Sequence, residues 1–137
     1  MKKQVAFLLA KNKLKVTTAR LAILSYLNQS KKPTDVADIL AELKQKGIKA
    51  DEATVYRILK AFVESNILNR IELQEGKWRY ELASLPHHHH IICTNCRAIE
   101  DIPNCKMKSI ENLLHNNTKF KVKDHRLEFY GLCPDCR

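Results

Sequence analysis

Two C-x-x-C pairs, Cys93/Cys96 and Cys133/Cys136, constrain this 137-residue chain more than any other feature. Each pair is a short hook able to set two thiolates on one side of a tetrahedral Zn²⁺ at about 2.3 Å, and two hooks complete a four-cysteine site. A disulfide framework is a poorer reading, because a fifth cysteine, Cys105, would be left over. A redox C-x-x-C enzyme would need a βαβ pattern around the motif, and neither pair has one. The gap of 36 residues is longer than in a zinc ribbon. The intervening chain must therefore fold as strand, helix and strand to bring the hooks together. Cys105 reads as a spare thiol.

The length allows one domain or two small ones. The first half reads as helices. Val5 to Ala10 is the longest apolar run, far below the roughly 20 residues of a membrane span. Lys2 and Lys3 before it imitate a signal peptide, but the run continues into Lys11, Lys13 and Lys15 without a cleavage site. It is predicted to be an amphipathic first helix of a cytoplasmic protein. Thr17 or Thr18 can cap a second helix with Leu21, Ile23, Leu24 and Leu27 at helical spacing. Pro33-Thr34 is predicted to start a third, ending at Gly47, and Asp51 to cap a fourth over Glu52–Glu64. That segment sets Val55, Leu59, Phe62 and Val63 on one side and Glu52, Tyr56, Arg57 and Lys60 on another. Ile67 to Leu73 and Lys77 to Leu82, around Gln74-Glu75-Gly76, form a hairpin signal. This order is that of a winged helix-turn-helix, whose second motif helix enters the DNA major groove.

Charge agrees with that partner. Residues 1–62 carry 13 basic and 5 acidic side chains, whereas the rest carry 11 and 10. The basic end suits a polyanion. Ala83-Ser-Leu-Pro86 breaks the pattern, giving residues 1–82 as one domain, 83–86 as a hinge and 87–137 as a small α/β domain. There His87–Cys93, Ala98–Ile102 and His125–Leu132 read as strands, and Met107–His115 as a helix with Ile110, Leu113 and Leu114 inward. The whole is of the α+β class. A domain of this size is marginal alone, so metal, a partner subunit or both are expected to stabilise it.

His87-His88-His89-His90 is internal and runs into an Ile-Ile-Cys strand, unlike an expression tag. In a strand, His87 and His89 face one way and His88 and His90 the other, so one run can feed two metal sites. Glu81, Glu100, Asp101, Glu111, His115 and His125 are further nitrogen or oxygen donors. Such a set suits Zn²⁺, Fe²⁺, Mn²⁺, Ni²⁺ or Co²⁺.

Leu14-Lys-Val-Thr-Thr-Ala-Arg20, Ala53-Thr-Val-Tyr-Arg57, Tyr80-Glu-Leu82, the segment His87–Cys96 and the segment His125–Cys133, in this order, resemble the ferric uptake regulator family of metal-responsive bacterial repressors. The resemblance implies a winged-helix domain, a hinge and an α/β dimerisation domain, the homodimer binding a palindromic A/T-rich operator. By that resemblance Tyr56 and Arg57 fall on recognition-helix positions, with Lys60 beside them, and Lys15 on a minor-groove contact. Cys93, Cys96, Cys133 and Cys136 fall on the structural zinc, Glu81, His88 and His90 on the regulatory site near the hinge, and His87, His89 and His125 on a second site of the dimerisation domain. The regulatory ion expected is Zn²⁺ or Fe²⁺, with Mn²⁺ also admissible.

Three departures stand out. Lys31-Lys32-Pro33-Thr34 occupies the stretch where members often place another sensing histidine. The carboxylate that members supply from the dimerisation-domain helix aligns with Lys108, and Glu111, one turn on, is the candidate replacement ligand. Four consecutive histidines, where iron sensors frequently have an aspartate third, lean toward zinc. The expected function is a metal-dependent repressor of metal-homeostasis genes without catalytic activity. A constitutive zinc-stabilised DNA-binding module is one alternative, and a zinc hydrolase using Glu81 or Glu111 as general base another, although H-E-x-x-H is absent.

Overall fold

A computed structural model describes residues 1–137, which separate into two compact units, Met1–Leu85 and Pro86–Arg137. The first contains helices α1 (Lys2–Lys11), α2 (Thr18–Gln29), α3 (Val36–Gln45) and α4 (Glu52–Glu64), and strands β1 (Thr34–Asp35), β2 (Leu68–Glu72) and β3 (Trp78–Leu82). Leu9, Ile23, Leu24, Ile39, Leu43, Val55, Leu59, Phe62 and Leu68 are sealed inside it. These are the residues at helical spacing in α1 to α4, with the first residue of the hairpin, so the apolar stripes meet in one core. The Thr17 hydroxyl caps α2 by accepting from Arg20 N–H at 3.2 Å, and Asp51 caps α4 by accepting from Thr54 N–H at 2.8 Å.

The start of α3 differs from the sequence expectation. Its cap is Asp35, which accepts from Asp38 N–H at 2.8 Å. Thr34 and Asp35 are extended and pair with Tyr80 and Arg79 of β3, giving a sheet of order β1-β3-β2. The physical reason is a buried polar knot. Arg79 donates from Nε and Nη2 to the two Glu75 carboxylate oxygens at 2.7 and 2.8 Å, and from Nη1 to the Pro33 carbonyl at 3.2 Å. Lys77 pairs with Asp35 in the same region. Burial pushes the Asp35 carboxyl up, but Lys77, the Asp38 N–H and Arg79 outweigh it and hold it below its ordinary value. Gly76, at φ +72, is one of two left-handed residues, with Gln74 at φ +56, in the hairpin turn that folds Glu75 back onto Arg79.

The second unit contains β4 (His88–Cys93), β5 (Ile99–Pro103), α5 (Lys108–Thr118) and β6 (Glu128–Gly131), with sheet order β5-β4-β6. β5 runs antiparallel to β4, and β6 returns parallel to it after the α5 crossover. The third strand is shorter than expected, with His125 to Leu127 outside it. A second correction concerns α5. Ile110, Leu113 and Leu114, expected inward, are exposed in the single chain, and no residue of the helix is buried. Phe120, Phe129 and Leu132 are exposed as well. The physical reason is size: one small layer of sheet and one helix cannot enclose every apolar stripe they carry.

Candidate metal centres and nucleic-acid face

Helix α4 buries Val55, Ile58, Leu59 and Phe62 and leaves Tyr56, Arg57 and Lys60 exposed. Tyr56 is 45% exposed, and Arg57 Nε donates back to the Ala53 carbonyl at 3.3 Å, holding the guanidinium along the helix. Lys60 reaches Glu64 only at 3.9 Å, with both side chains mostly in solvent. Such a pair contributes little and leaves Lys60 available to phosphate. Lys15 is exposed between α1 and α2, where Arg20 Nη1 donates to its carbonyl at 2.9 Å and fixes the backbone.

In the second unit, parallel pairing sets Cys93 opposite Gly131, so both hooks leave the same end of the sheet. The four sulfurs of Cys93, Cys96, Cys133 and Cys136 lie within 4.8 Å of one another, and Cys96 Sγ is 3.7 Å from Cys133 Sγ. A tetrahedral ion about 2.3 Å from each sulfur sets sulfurs about 3.8 Å apart, so the cluster fits zinc. Polar neighbours are arranged for thiolates: Cys133 N–H donates to Cys93 Sγ at 3.4 Å and Asn95 Nδ2 to Cys136 Sγ at 3.3 Å. Backbone N–H groups of Cys133 and Cys96 bring the Cys93 thiol down to about 6, while hydrogen bonding with Cys136 pushes Cys133 up to about 12. Four sulfurs this close do not all ionise without a cation, so zinc loading displaces the retained protons.

Alternation along β4 divides the histidines as the period of two requires. His87, His89 and His125 turn their Nε2 atoms toward one another, at 3.2 Å (His87–His89), 3.3 Å (His87–His125) and 3.1 Å (His89–His125). An ion about 2.0–2.1 Å from each nitrogen in tetrahedral geometry sets them about 3.3–3.4 Å apart. Burial, then the neighbouring His87 and His125, keeps the His89 imidazole below its ordinary value and so in the neutral, ligating form. Glu111 does not join this group: its Oε1 lies 3.1 Å from His125 Nδ1, the ring nitrogen turned away from the cluster. Cys105 does join, with Sγ 3.3 Å from His125 Nε2. Cys105, a spare thiol by sequence, has no partner at x₂ spacing that would mark it as a ligand.

His88 and His90 occupy the opposite face, with ring centroids 4.8 Å apart. His88 Nδ1–H donates to the Pro86 carbonyl at 2.7 Å, which puts the lone pair on Nε2. His90 is buried, and its Nε2 lies 3.5 Å from Oδ1 of Asp101, its register partner on β5. Glu81 belongs to the first unit, half-buried on β3 opposite Asn69. Of the other acids and imidazoles considered, Glu100 is exposed on β5, and His115 Nδ1 turns to the Phe120 carbonyl at 3.1 Å.

Residues 11–130 match the family model for the ferric uptake regulator family. The chain belongs to the ferric uptake regulator family. It is thereby a metal-responsive transcriptional regulator. The ferric uptake regulation protein of Neisseria meningitidis is 32% identical over 125 residues, covering 90% of this chain and 87% of the relative. Among solved structures, the iron-containing ferric uptake regulator of Francisella tularensis superposes with a TM-score of 0.81 at 31% identity, covering 90% of this chain and 94% of the other. The Helicobacter pylori ferric uptake regulator, described with three functional metal binding sites, gives 0.83 at 26% identity, covering 98% and 89%. No helix of this regulator is long and apolar enough to cross a membrane.

Proposed function

We propose that this regulator is a cytoplasmic homodimer that represses metal-homeostasis genes by binding operator DNA when a regulatory ion is present, and that it is not an enzyme. The observation that carries this reading is the pair of imidazole sets on the two faces of β4, separate from a four-cysteine cluster that suffices for a structural zinc. A constitutive zinc-stabilised module has no use for them. A hydrolase needs an open position on its ion, whereas the cavity of about 120 Å³ lined by Cys93, Cys133 and Glu100 adjoins a cluster whose four thiolates would close the tetrahedron, and the cavity of about 220 Å³ in the first unit has no acid, imidazole or thiol in its lining. Residues 1–82 form the DNA-binding domain and 87–137 the dimerisation and metal-binding domain. The exposed Ile110, Leu113, Leu114 and Phe129 are the apolar surface that a second copy would cover.

His88 and His90, with Glu81 from beyond the hinge, hold the regulatory Zn²⁺, Fe²⁺ or Mn²⁺. Such an ion supplies positive charge that two neutral imidazoles and one carboxylate answer together. Glu81 is the next-to-last residue of the wing strand, so its ligation would tie that wing to β4 and favour one arrangement of the two DNA-binding domains in the dimer. By linkage, operator DNA tightens the ion in return. Arg57 and Tyr56 read base edges, and Lys15 and Lys60 attach to the backbone. Arg57→Ala is expected to lose on the order of 1–3 kcal/mol of operator affinity and relax specificity, while Lys15→Ala weakens operator and random duplex alike. Competition binding against a random duplex checks this. Undiminished discrimination in Arg57→Ala would remove α4 from the base-reading role.

A further inference from the structure

We propose that Cys105 is the fourth ligand of the ion held by His87, His89 and His125, and that its thiolate among three imidazoles makes this centre prefer Zn²⁺ and other thiophilic cations over Mn²⁺ or Fe²⁺. The proposal rests on the reading of the three histidines as a metal site and goes beyond it in naming the fourth donor and the selectivity.

The first observation is a conflict within the imidazole triangle. All three Nε2–Nε2 separations lie between 3.1 and 3.3 Å. Each Nε2 is either a donor or an acceptor. Among three mutual neighbours, two must then share the same role, and the edge between them is not a hydrogen bond. A cation that takes all three lone pairs removes the conflict.

The second observation is how Cys105 arrives. β5 ends at Pro103, and Asn104, at φ +58, takes the left-handed conformation that turns the chain before α5 begins at Lys108. This turn sets Cys105 Sγ 3.3 Å from His125 Nε2, inside a four-atom group no more than 4.8 Å across. A tetrahedral ion with one sulfur and one nitrogen ligand sets those two atoms about 3.5 Å apart.

The third is the place of Glu111. Its carboxylate meets His125 Nδ1 at 3.1 Å, the arrangement that orients a ligating imidazole and raises its basicity. Glu111 thus positions His125 and leaves the fourth corner to the thiol. Lys108, on the first turn of α5, offers no competing donor as an ammonium. The Cys105 S–H gives its proton to solvent as the sulfur–metal bond forms, so one proton leaves the protein and no oxidant or reductant is consumed. A thiolate among three imidazoles suits zinc and cobalt and is a poor match for manganese.

The test is Co²⁺ titration of the full-length protein with its four-cysteine zinc retained, followed by absorption while released zinc is measured. The parent is expected to show a near-ultraviolet sulfur-to-cobalt charge-transfer band of one thiolate, together with tetrahedral visible bands. Cys105→Ser should lose the charge-transfer band and lower the preference for Zn²⁺ over Mn²⁺ by roughly tenfold or more. Cys105→Asp should retain bound cobalt without the band, which separates ligand loss from misfolding. Glu111→Gln should keep the band while weakening cobalt about 10–100-fold. Cobalt bound with no charge-transfer band in the parent, or a band of equal strength in Cys105→Ser, would overturn the proposal and leave the histidine site standing. A cobalt stoichiometry that His89→Ala does not change would overturn both.

Discussion

Cys96→Ser is expected to release one tightly held zinc per chain and to unfold residues 86–137. Ile92 and Cys93 are the buried apolar residues of that unit, while α5 buries none. Its sheet therefore depends on the cluster that ties the ends of β4 and β6 together, where Thr94 N–H donates to the Gly131 carbonyl at 2.8 Å. Structural zinc sites of this kind contribute on the order of 10–16 kcal/mol of apparent binding free energy at neutral pH, which is folding free energy. A serine hydroxyl is a far weaker ligand than a thiolate, and three sulfurs leave the tetrahedron open. Zinc analysis and the oligomeric state of the purified variant check the expectation, and Cys136→Ser should behave alike. Zinc and dimer retained in both would reject the structural assignment.

Arg79→Ala is expected to destabilise the first unit by about 3–5 kcal/mol, because it leaves the Glu75 carboxylate, with a side chain 6% exposed, deprived of its bidentate partner. The Pro33 carbonyl and the β1–β3 pairing at Asp35–Arg79 lose support together. Of a domain's typical 5–15 kcal/mol this is a large share. Trp78, the single tryptophan, lies on β3 and stacks under the Arg70 guanidinium at 3.9 Å, so its fluorescence follows denaturant unfolding of this unit. A midpoint matching the parent would show the knot to be dispensable.

The sequence carries some of these features openly and hides others, for definite reasons. Asp51 ahead of Val55, Leu59 and Phe62 announces α4 because capping and a 3.6-residue apolar period are local properties. The division of His87–His90 follows from strand alternation, and Gly131 opposite Cys93 explains how widely separated hooks meet. Glu75 and Arg79 resemble ordinary solvated hairpin charges until the turn at Gly76 buries them against each other. Cys105 carries no spacing signal, since its three partners come from β4 and from the segments flanking β4 and β6. The α5 stripe is correctly amphipathic in sequence, but its cover is absent from the single chain, so periodicity named the apolar face without naming what it packs on.

An ion at Glu81, His88 and His90 is proposed to raise operator affinity. The most direct test is the operator affinity of zinc-loaded protein titrated with Fe²⁺, Mn²⁺ and Zn²⁺, in the parent, Glu81→Ala and His90→Ala. The parent should gain the coupling typical of linked sites, about 1–3 kcal/mol or roughly 5–150-fold, with at least one of these ions. Both variants should stay folded with their four-cysteine zinc and lose most of that gain. The opposite result, variants that respond to metal as the parent does, would contradict the claim and move the regulatory ion to the centre built on His87, His89 and His125.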